Sequence, residues 1–312
     1  MPKFSPEVFR AFLSLYWLRP ENAALAYYQS QSWQDCKVKG PSIDISTGDG
    51  FSVFLHCGGR FHDSFDFFCN NTAARKFSHD KFIDIYNKVD KSFNPLIKKQ
   101  AITHFTVGTD WKKPLLEKAR KLKFFEKTIV HDNNILPLPF EDNAFKLAHS
   151  NAIYWTKNPV RLMRDVYRIL DRDSTAVFEV CTSSMLSTLQ TLKPWLSPRA
   201  LSILDRKRSL EMKVLSADHA DWQVWIKKAG FTIEDVRVAW PNQAITDVWN
   251  IGLRPISHLL IRMVEQMPLQ ERLKIKEKWT QIFFDLLVPV CENFPRFKLD
   301  KAPYITYILR KP

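Results

Sequence analysis

The sequence predicts an α/β fold: a doubly wound, mostly parallel sheet of seven strands whose last strand runs antiparallel, with helical caps inserted around it. Three observations predict it. Short β-branched runs alternate with helical patterns of ten or so residues, several of those runs end on an acid or a glycine turn, and Tyr304 to Arg310 (YITYILR) alternates like a final strand.

The elements follow in order. Ser42 to Ser46 (SIDIS) is a strand broken by Thr-Gly-Asp-Gly, and Phe51 to Leu55 opens a helix. His104 to Thr109 (HFTVGT) is the second strand, ending at Asp110, and Pro114 to Leu122 is an amphipathic helix with proline in its first turn. Lys127 to His131 is the third strand, ending at Asp132. Phe145 to Ser150 (FKLAHS) is the fourth, followed by a helix over Val160 to Leu170, and Ala176 to Cys181 (AVFEVC) is the fifth. Asp218 to Ala229 is a helix stopped by Gly230, and Phe231 to Ala239 is the sixth strand. Ile251 to Met267 and Leu269 to Cys291 carry helical spacing. The expected organisation is an N-terminal helical cap over 1–39, a core over 40–181, a helical insertion over 182–216, core again over 217–240, a helical cap over 241–302 and the last core strand in 303–312.

Composition bounds the rest. At 312 residues the chain sits just above the ~250–300 at which a single core stops growing, which favours one large decorated domain. Hydrophobic residues make up 45%, charged residues 25% and phenylalanine 23 positions, a mixture that excludes a disordered chain. The longest apolar runs, Ala11 to Leu18 and Phe283 to Val290, fall far short of the ~18–20 residues of a membrane span. The first residues lack the small-residue cleavage site of a secretory signal, so a cytoplasmic protein is expected. Five cysteines stand singly with no CxxC pair, so neither a zinc cluster nor a disulfide framework is expected, and no metal. The net charge is +13, and residues 71–128, with 14 Lys or Arg against 6 Asp or Glu, supply +8 of it. Nucleic acid, an anionic membrane surface, an acidic small molecule and a merely solvated helix face all fit that stretch. Only eight glycines occur, four of them at Gly48, Gly50, Gly58 and Gly59.

Ligands of a doubly wound sheet bind outside the carboxyl ends of its strands. After the first strand comes the tight turn Asp44-Ile45-Ser46-Thr47-Gly48-Asp49-Gly50; after the second, Asp110, suited to the two hydroxyls of a ribose; after the third, Asp132-Asn133-Asn134, suited to an adenine amine. Together they outline a nucleoside-shaped pocket. A dinucleotide fingerprint would need glycine where Val53 stands, and no Gly-Lys-Ser or Gly-Lys-Thr follows Gly50 to make a phosphate loop.

The runs DISTGDG, GTDW, HDNNILPLPFEDNAFKLAHS and LMRDVYRILDRDSTAVFEV resemble the class I S-adenosylmethionine-dependent methyltransferases, most closely the type 11 small-molecule subgroup, over 40–181 and again at YITYILRKP. The resemblance implies a Rossmann-like core and S-adenosyl-L-methionine as cofactor. It also implies that Asp44, Ile45, Ser46, Thr47, Gly48, Asp49 and Gly50 border the methionine moiety, that Asp110 holds the ribose, and that Trp111 packs on the adenine. Asp132, Asn133 and Asn134 would face the adenine edge and Ser150 would lie beneath the sulfonium. Ser46 departs from the family's usual glycine, and the span from Gly50 to the second strand is longer than usual. His149, His131 and Tyr154 stand where a general base would be useful, His149 and Tyr154 being the candidates retained.

The amino-methylating signature Asn-Pro-Pro-Tyr is replaced by Ser150-Asn151-Ala152-Ile153, which disfavours adenine or glutamine amides. Trp249, Arg254 and His258 in the 241–302 cap are candidate acceptor contacts, Arg254 as a clamp for a carboxylate or phosphate. The expected activity is in-line methyl transfer to an oxygen or carbon of a small-molecule acceptor: a metabolite, saccharide or lipid-like compound, and one that carries an anion fits best. Two rivals are an RNA methyltransferase using 71–128, for which no RNA-binding module is present, and a non-catalytic methyltransferase-like binding protein, which Ser46 favours. The helical insertions suit a lid or a homodimer interface.

Overall fold

A computed structural model describes residues 4–68, 89, 92–205, 208–209 and 217–312. Two helices lead, α1 (Pro6–Leu15) and α2 (Pro20–Ser32), each with proline in its first turn. The core then runs β1 (Ser42–Ile45), α3 (Phe51–His56), β2 (Arg60–Phe61), β3 (Ile97–Lys99), β4 (Phe105–Asp110), α4 (Lys113–Lys121), β5 (Phe125–Val130), β6 (Phe145–Ser150), α5 (Pro159–Ile169) and β7 (Leu170–Cys181). Beyond it come α6 (Ser187–Leu192), α7 (Pro198–Asp205), α8 (His219–Lys228), β8 (Thr232–Val238), α9 (Gln243–Ile251), α10 (Ser257–Glu265), α11 (Leu269–Asn293) and β9 (Tyr304–Arg310).

Seven strands form one sheet in the order β5-β4-β1-β6-β7-β9-β8. The first five of these pair in parallel, and β9 runs antiparallel between β7 and β8. This is the predicted Rossmann-like sheet with its antiparallel last strand. The winding reverses at β1, which lies between β4 and β6, so the crevice outside its carboxyl end is where such a sheet takes a ligand. All four residues of β1 are buried, as expected of a central strand covered on both faces.

Two features were not predicted. A small antiparallel pair, β2 with β3, brackets the start and end of the long span before β4. Within the basic stretch, residues 71–88 and 90–91 lie outside the described residues, as does Cys69. The helix expected over Ile251 to Met267 is shortened to α10, which starts at Ser257 after a short 3-10 turn, Arg254–Ile256, and the unpredicted α9 ends where it was expected to begin, at Ile251. Gly252 breaks it with ψ −149°, and a side chain there would come within 2.2 Å of the Val248 carbonyl oxygen. No helix among the described residues is long and apolar enough to cross a membrane.

The LPLPF segment has a mechanical explanation. The Leu138 N–H donates to Asp165 Oδ2 at 2.5 Å, and Arg168 donates to the carbonyls of Phe140 (2.8 Å) and Leu138 (3.1 Å) and to Asp142 Oδ1 (2.8 Å). Asp165 and Arg168 both stand on α5, so one helix clamps the loop that leads into β6.

At the centre of the sheet lies a buried charge cluster. Asp44 on β1 pairs in register with His149 on β6, and His149 Nδ1 bonds Asp44 Oδ1 at 2.7 Å. Glu179 on β7 stands 3.8 Å from His149 Nε2, and all three residues are only 1% exposed. Burial opposes a charge on His149, but the Asp44 carboxylate and then Glu179 outweigh it and push its pKa up to about 9. Trp33, at the end of α2, stacks on His149 with centroids 4.5 Å apart and on His56 at 3.5 Å. His56, desolvated and next to this cation, is pushed down to about 3.

The two histidines set opposite limits on stability. His149 holds its proton more tightly folded than unfolded, so its contribution is whole below pH 6.5 and is lost as pH rises through about 9. His56 holds its proton less tightly folded, so the folded state loses ground as pH falls from 6.5 towards about 3. Melting temperature measured across pH 4–10 is expected to peak near pH 6.5, and His149→Gln is expected to lower the peak and flatten its alkaline side.

Candidate functional site

The loop after β1 is built from left-handed residues. Ser46 has φ 62°, Gly48 φ 61° and Gly50 φ 74°. Ser46 therefore adopts the conformation that favours glycine, at a cost of ~1–2 kcal/mol, and its Oγ accepts a hydrogen bond from Asn133 Nδ2 at 2.6 Å. The two glycines answer different demands. A side chain on Gly50 would come within 2.7 Å of the Phe125 ring, whereas one on Gly48 would meet no atom within 4 Å. Gly50 is needed for packing, and Gly48 faces open space.

Asp110, at the end of β4, ties this loop to its neighbour. Its Oδ2 accepts from the Gly48 N–H at 3.0 Å and its Oδ1 from the Lys112 N–H at 2.7 Å. Burial pushes its carboxyl upward, against the pull of those two backbone bonds. Ser150, at the end of β6, donates its hydroxyl to the Ile45 carbonyl at 3.0 Å. Thr47 Oγ1 and Asn133 Oδ1 are buried without a hydrogen-bond partner, an arrangement that costs ~1–3 kcal/mol per group unless something else satisfies it. Asp110, Asn133 and Ser150 thus tie the loop after β1 to the ends of β4, β5 and β6, while Asp44 beneath it is turned to His149.

Other candidates follow β4 and β5 directly. Trp111 is 61% exposed, with the Lys112 ammonium 5.4 Å from its ring centre. Asp132 Oδ1 accepts from the N–H and side-chain amide of Asn134, and Asn134 Oδ1 accepts from the Lys157 N–H at 2.8 Å. His131 Nε2 bonds the Ile135 carbonyl at 3.0 Å.

The two candidate bases are set into the core. His149 is closed off by Asp44, Glu179 and Trp33. The Tyr154 hydroxyl is bonded to that of Tyr304, and burial raises its pKa well above the usual phenol value. Trp249 is buried on α9, with the Arg208 guanidinium 4.3 Å and that of Arg254 5.8 Å from its ring centre. His258, on α10, is 8% exposed.

Sequence reasoning missed Trp33, Glu179 and Arg208. Glu179 had a usable signal: one acid inside the apolar strand AVFEVC demands a buried partner. Trp33 and Arg208 had none, because their neighbours come from distant parts of the chain.

Residues 92–178 match the family model described as a methyltransferase domain, of type 11. No curated protein matches the sequence. Among solved structures, a methyltransferase from Thermotoga maritima is 13% identical, with 98% of this chain and 99% of that one covered and a TM-score of 0.47. An S-adenosylmethionine-dependent methyltransferase from Mesorhizobium loti is 14% identical over 86% of this chain and 90% of that one, with a TM-score of 0.41. Likenesses so distant carry no argument about activity. The domain match itself begins just before β3 and ends within β7, taking in Asp110, Trp111, Asp132 and the LPLPF clamp. Residues 92–178 are thus similar to a methyltransferase domain and lie on the seven-stranded, Rossmann-like sheet.

Proposed function

We propose that the protein is an S-adenosyl-L-methionine-dependent methyltransferase that moves a methyl group to an oxygen or carbon of a small-molecule acceptor. The observation that carries this reading is the crevice at β1: open space over Gly48, bordered by the buried and unpartnered Thr47 Oγ1 and Asn133 Oδ1. These residues fit a nucleoside-bearing cofactor. The cofactor supplies an activated methyl on a sulfonium, whose positive charge is lost on transfer.

Because that charge falls during the reaction, this chain has little to neutralise, and positioning dominates; holding donor and acceptor in line is worth up to ~7–11 kcal/mol. Asp110, oriented by the N–H groups of Gly48 and Lys112, keeps lone pairs for a pair of hydroxyls. Asn133 and Thr47 offer unpartnered polar atoms beside the same loop, and Trp111 offers an exposed ring. His149 and Tyr154 act as positioning residues rather than bases, since both are closed in by neighbours. Ser46, the residue that favours a non-catalytic binder, takes the left-handed backbone that a glycine there would take, which is compatible with the catalytic reading.

Calorimetric titration with S-adenosylhomocysteine is the test. Wild type is expected to bind in the micromolar range and Asp110→Ala about 100-fold more weakly, ~2.7 kcal/mol. A folded wild type that does not bind would sink the reading. The two glycines separate binding from packing: Gly48→Ala is expected to weaken binding at least about tenfold, ~1.4 kcal/mol, with a small drop in melting temperature. Gly50→Ala is expected to lower the melting temperature more, through its clash with Phe125.

A further inference from the structure

A cavity opens at the other end of the sheet. Lys37 to Lys39 lead into β1, Thr103 leads into β4, and Leu55 to Gly58 end α3, which starts beyond the carboxyl end of β1 and runs back along the sheet. The Ile102 N–H donates to the Cys57 carbonyl at 2.8 Å and so ties the segment before β4 to the end of α3. With the last turn of α2, these segments surround a cavity of about 440 Å³ that is open to solvent, a size within the ~300–1,000 Å³ of small-molecule pockets. The cofactor loop lies past the opposite end of β1, whose four residues span about 13 Å. None of the residues assigned to the cofactor lines this cavity.

The lining is one-sided in charge. Lys37, Lys39 and Arg60 contribute to it, and among the described residues no carboxylate does. The Arg60 guanidinium donates to main-chain carbonyls, Gly59 at 2.8 Å and Leu55 at 3.4 Å, and both lysines are exposed at the mouth. Asp35, the acid nearest to the lysines in sequence, is held by Arg237 instead. His56, also in the wall, is neutral at ordinary pH and adds no charge. Val38, Leu55 and Ile102 make an apolar side, Ile102 with 74% of its surface exposed. Gln31, on the last turn of α2, also lines the cavity. It is 5% exposed, and its Oε1 is buried without a hydrogen-bond partner. An acceptor left unmet in this way calls for a donor.

We propose that this cavity is a second ligand site, separate from the crevice at β1, and that it takes a small organic anion. Its oxyanion lies against Lys37, Lys39 and Arg60, a short apolar body lies against Val38, Leu55 and Ile102, and an N–H or O–H donor reaches Gln31. Each part is selected by a different force. Three cations with no acid among them attract the charge, the apolar body gains by leaving water, and the donor satisfies the unmet acceptor. Inorganic phosphate offers no apolar body, and a neutral amide leaves the cations unanswered.

The test titrates the full chain, at constant ionic strength, with N-acetyl-L-leucine, which carries all three parts. N-acetyl-L-leucinamide, which lacks the charge, and inorganic phosphate, which lacks the body, are the controls. Wild type is expected to bind N-acetyl-L-leucine at least about tenfold more tightly than either control. Replacing both lysines, Lys37→Gln with Lys39→Gln, is expected to weaken that binding at least about tenfold with the melting temperature unchanged, and Gln31→Leu several-fold. Saturating S-adenosylhomocysteine is expected to leave the affinity for N-acetyl-L-leucine within about twofold. Cys36 locates the ligand without any substitution, since it lines the cavity half-buried. Burial pushes its thiol up to about 11, so alkylation by iodoacetamide is slow, and N-acetyl-L-leucine is expected to slow it further. No binding of N-acetyl-L-leucine by a folded wild type overturns the proposal. So do equal binding of the neutral amide, undiminished binding by the lysine variant, an unprotected Cys36, or competition with S-adenosylhomocysteine.

Discussion

A charged imidazole sealed between two carboxylates organises this molecule. His149 on β6 takes Asp44 of β1 on one nitrogen and faces Glu179 of β7 with the other, with Trp33 of α2 laid over its ring. Three neighbouring strands and the cap helix therefore meet at one cation. Truncating either Asp44 or His149 would leave an uncompensated buried charge, which typically costs ~3–5 kcal/mol. A slip of one residue in β6 would turn His149 to the other face of the sheet and break the same contacts. The cluster thereby fixes the register of the strand from which the crevice loop departs, because Ser46 follows Asp44 by two residues and Ser150 follows His149 by one.

Charge is arranged in layers above that point. The sheet interior combines two acids with one cation, the loop after β1 meets Asp110 and neutral polar atoms, and Arg208 and Arg254, from the segments beyond β7 and β8, lie within each other's field and that of Arg19 before α2. The hydrogen bonds of the crevice are mostly to main-chain groups, so its shape depends on the backbone conformations of Ser46, Gly48 and Gly50 more than on side-chain rotamers.

Much of this was legible in the sequence, for identifiable reasons. Strand alternation, glycine turns and acids at strand ends are local signals, so the seven-stranded sheet and its antiparallel last strand could be read directly. Asp218, expected at the start of a helix, is its N-cap, with a reciprocal bond to Asp221. The α9–α10 break was missed because helical periodicity continues through Gly252, and the clash that forbids a side chain there involves the helix's own carbonyl. His149 was legible as a candidate but not in its surroundings: its partners are 105 residues before it and 30 after it, and sequence spacing does not say which strands become neighbours. Arg208 was hidden within a run of charges that resembles a solvated face.

The most direct measurement is a nitrogen-15 NMR titration of the histidine side chains, with His149 assigned by its loss in His149→Gln. The account predicts that both ring nitrogens of His149 stay protonated at pH 7.5 and that the ring titrates near pH 9. A neutral His149 at pH 7.5, or a titration near the ordinary 6.5, would contradict it.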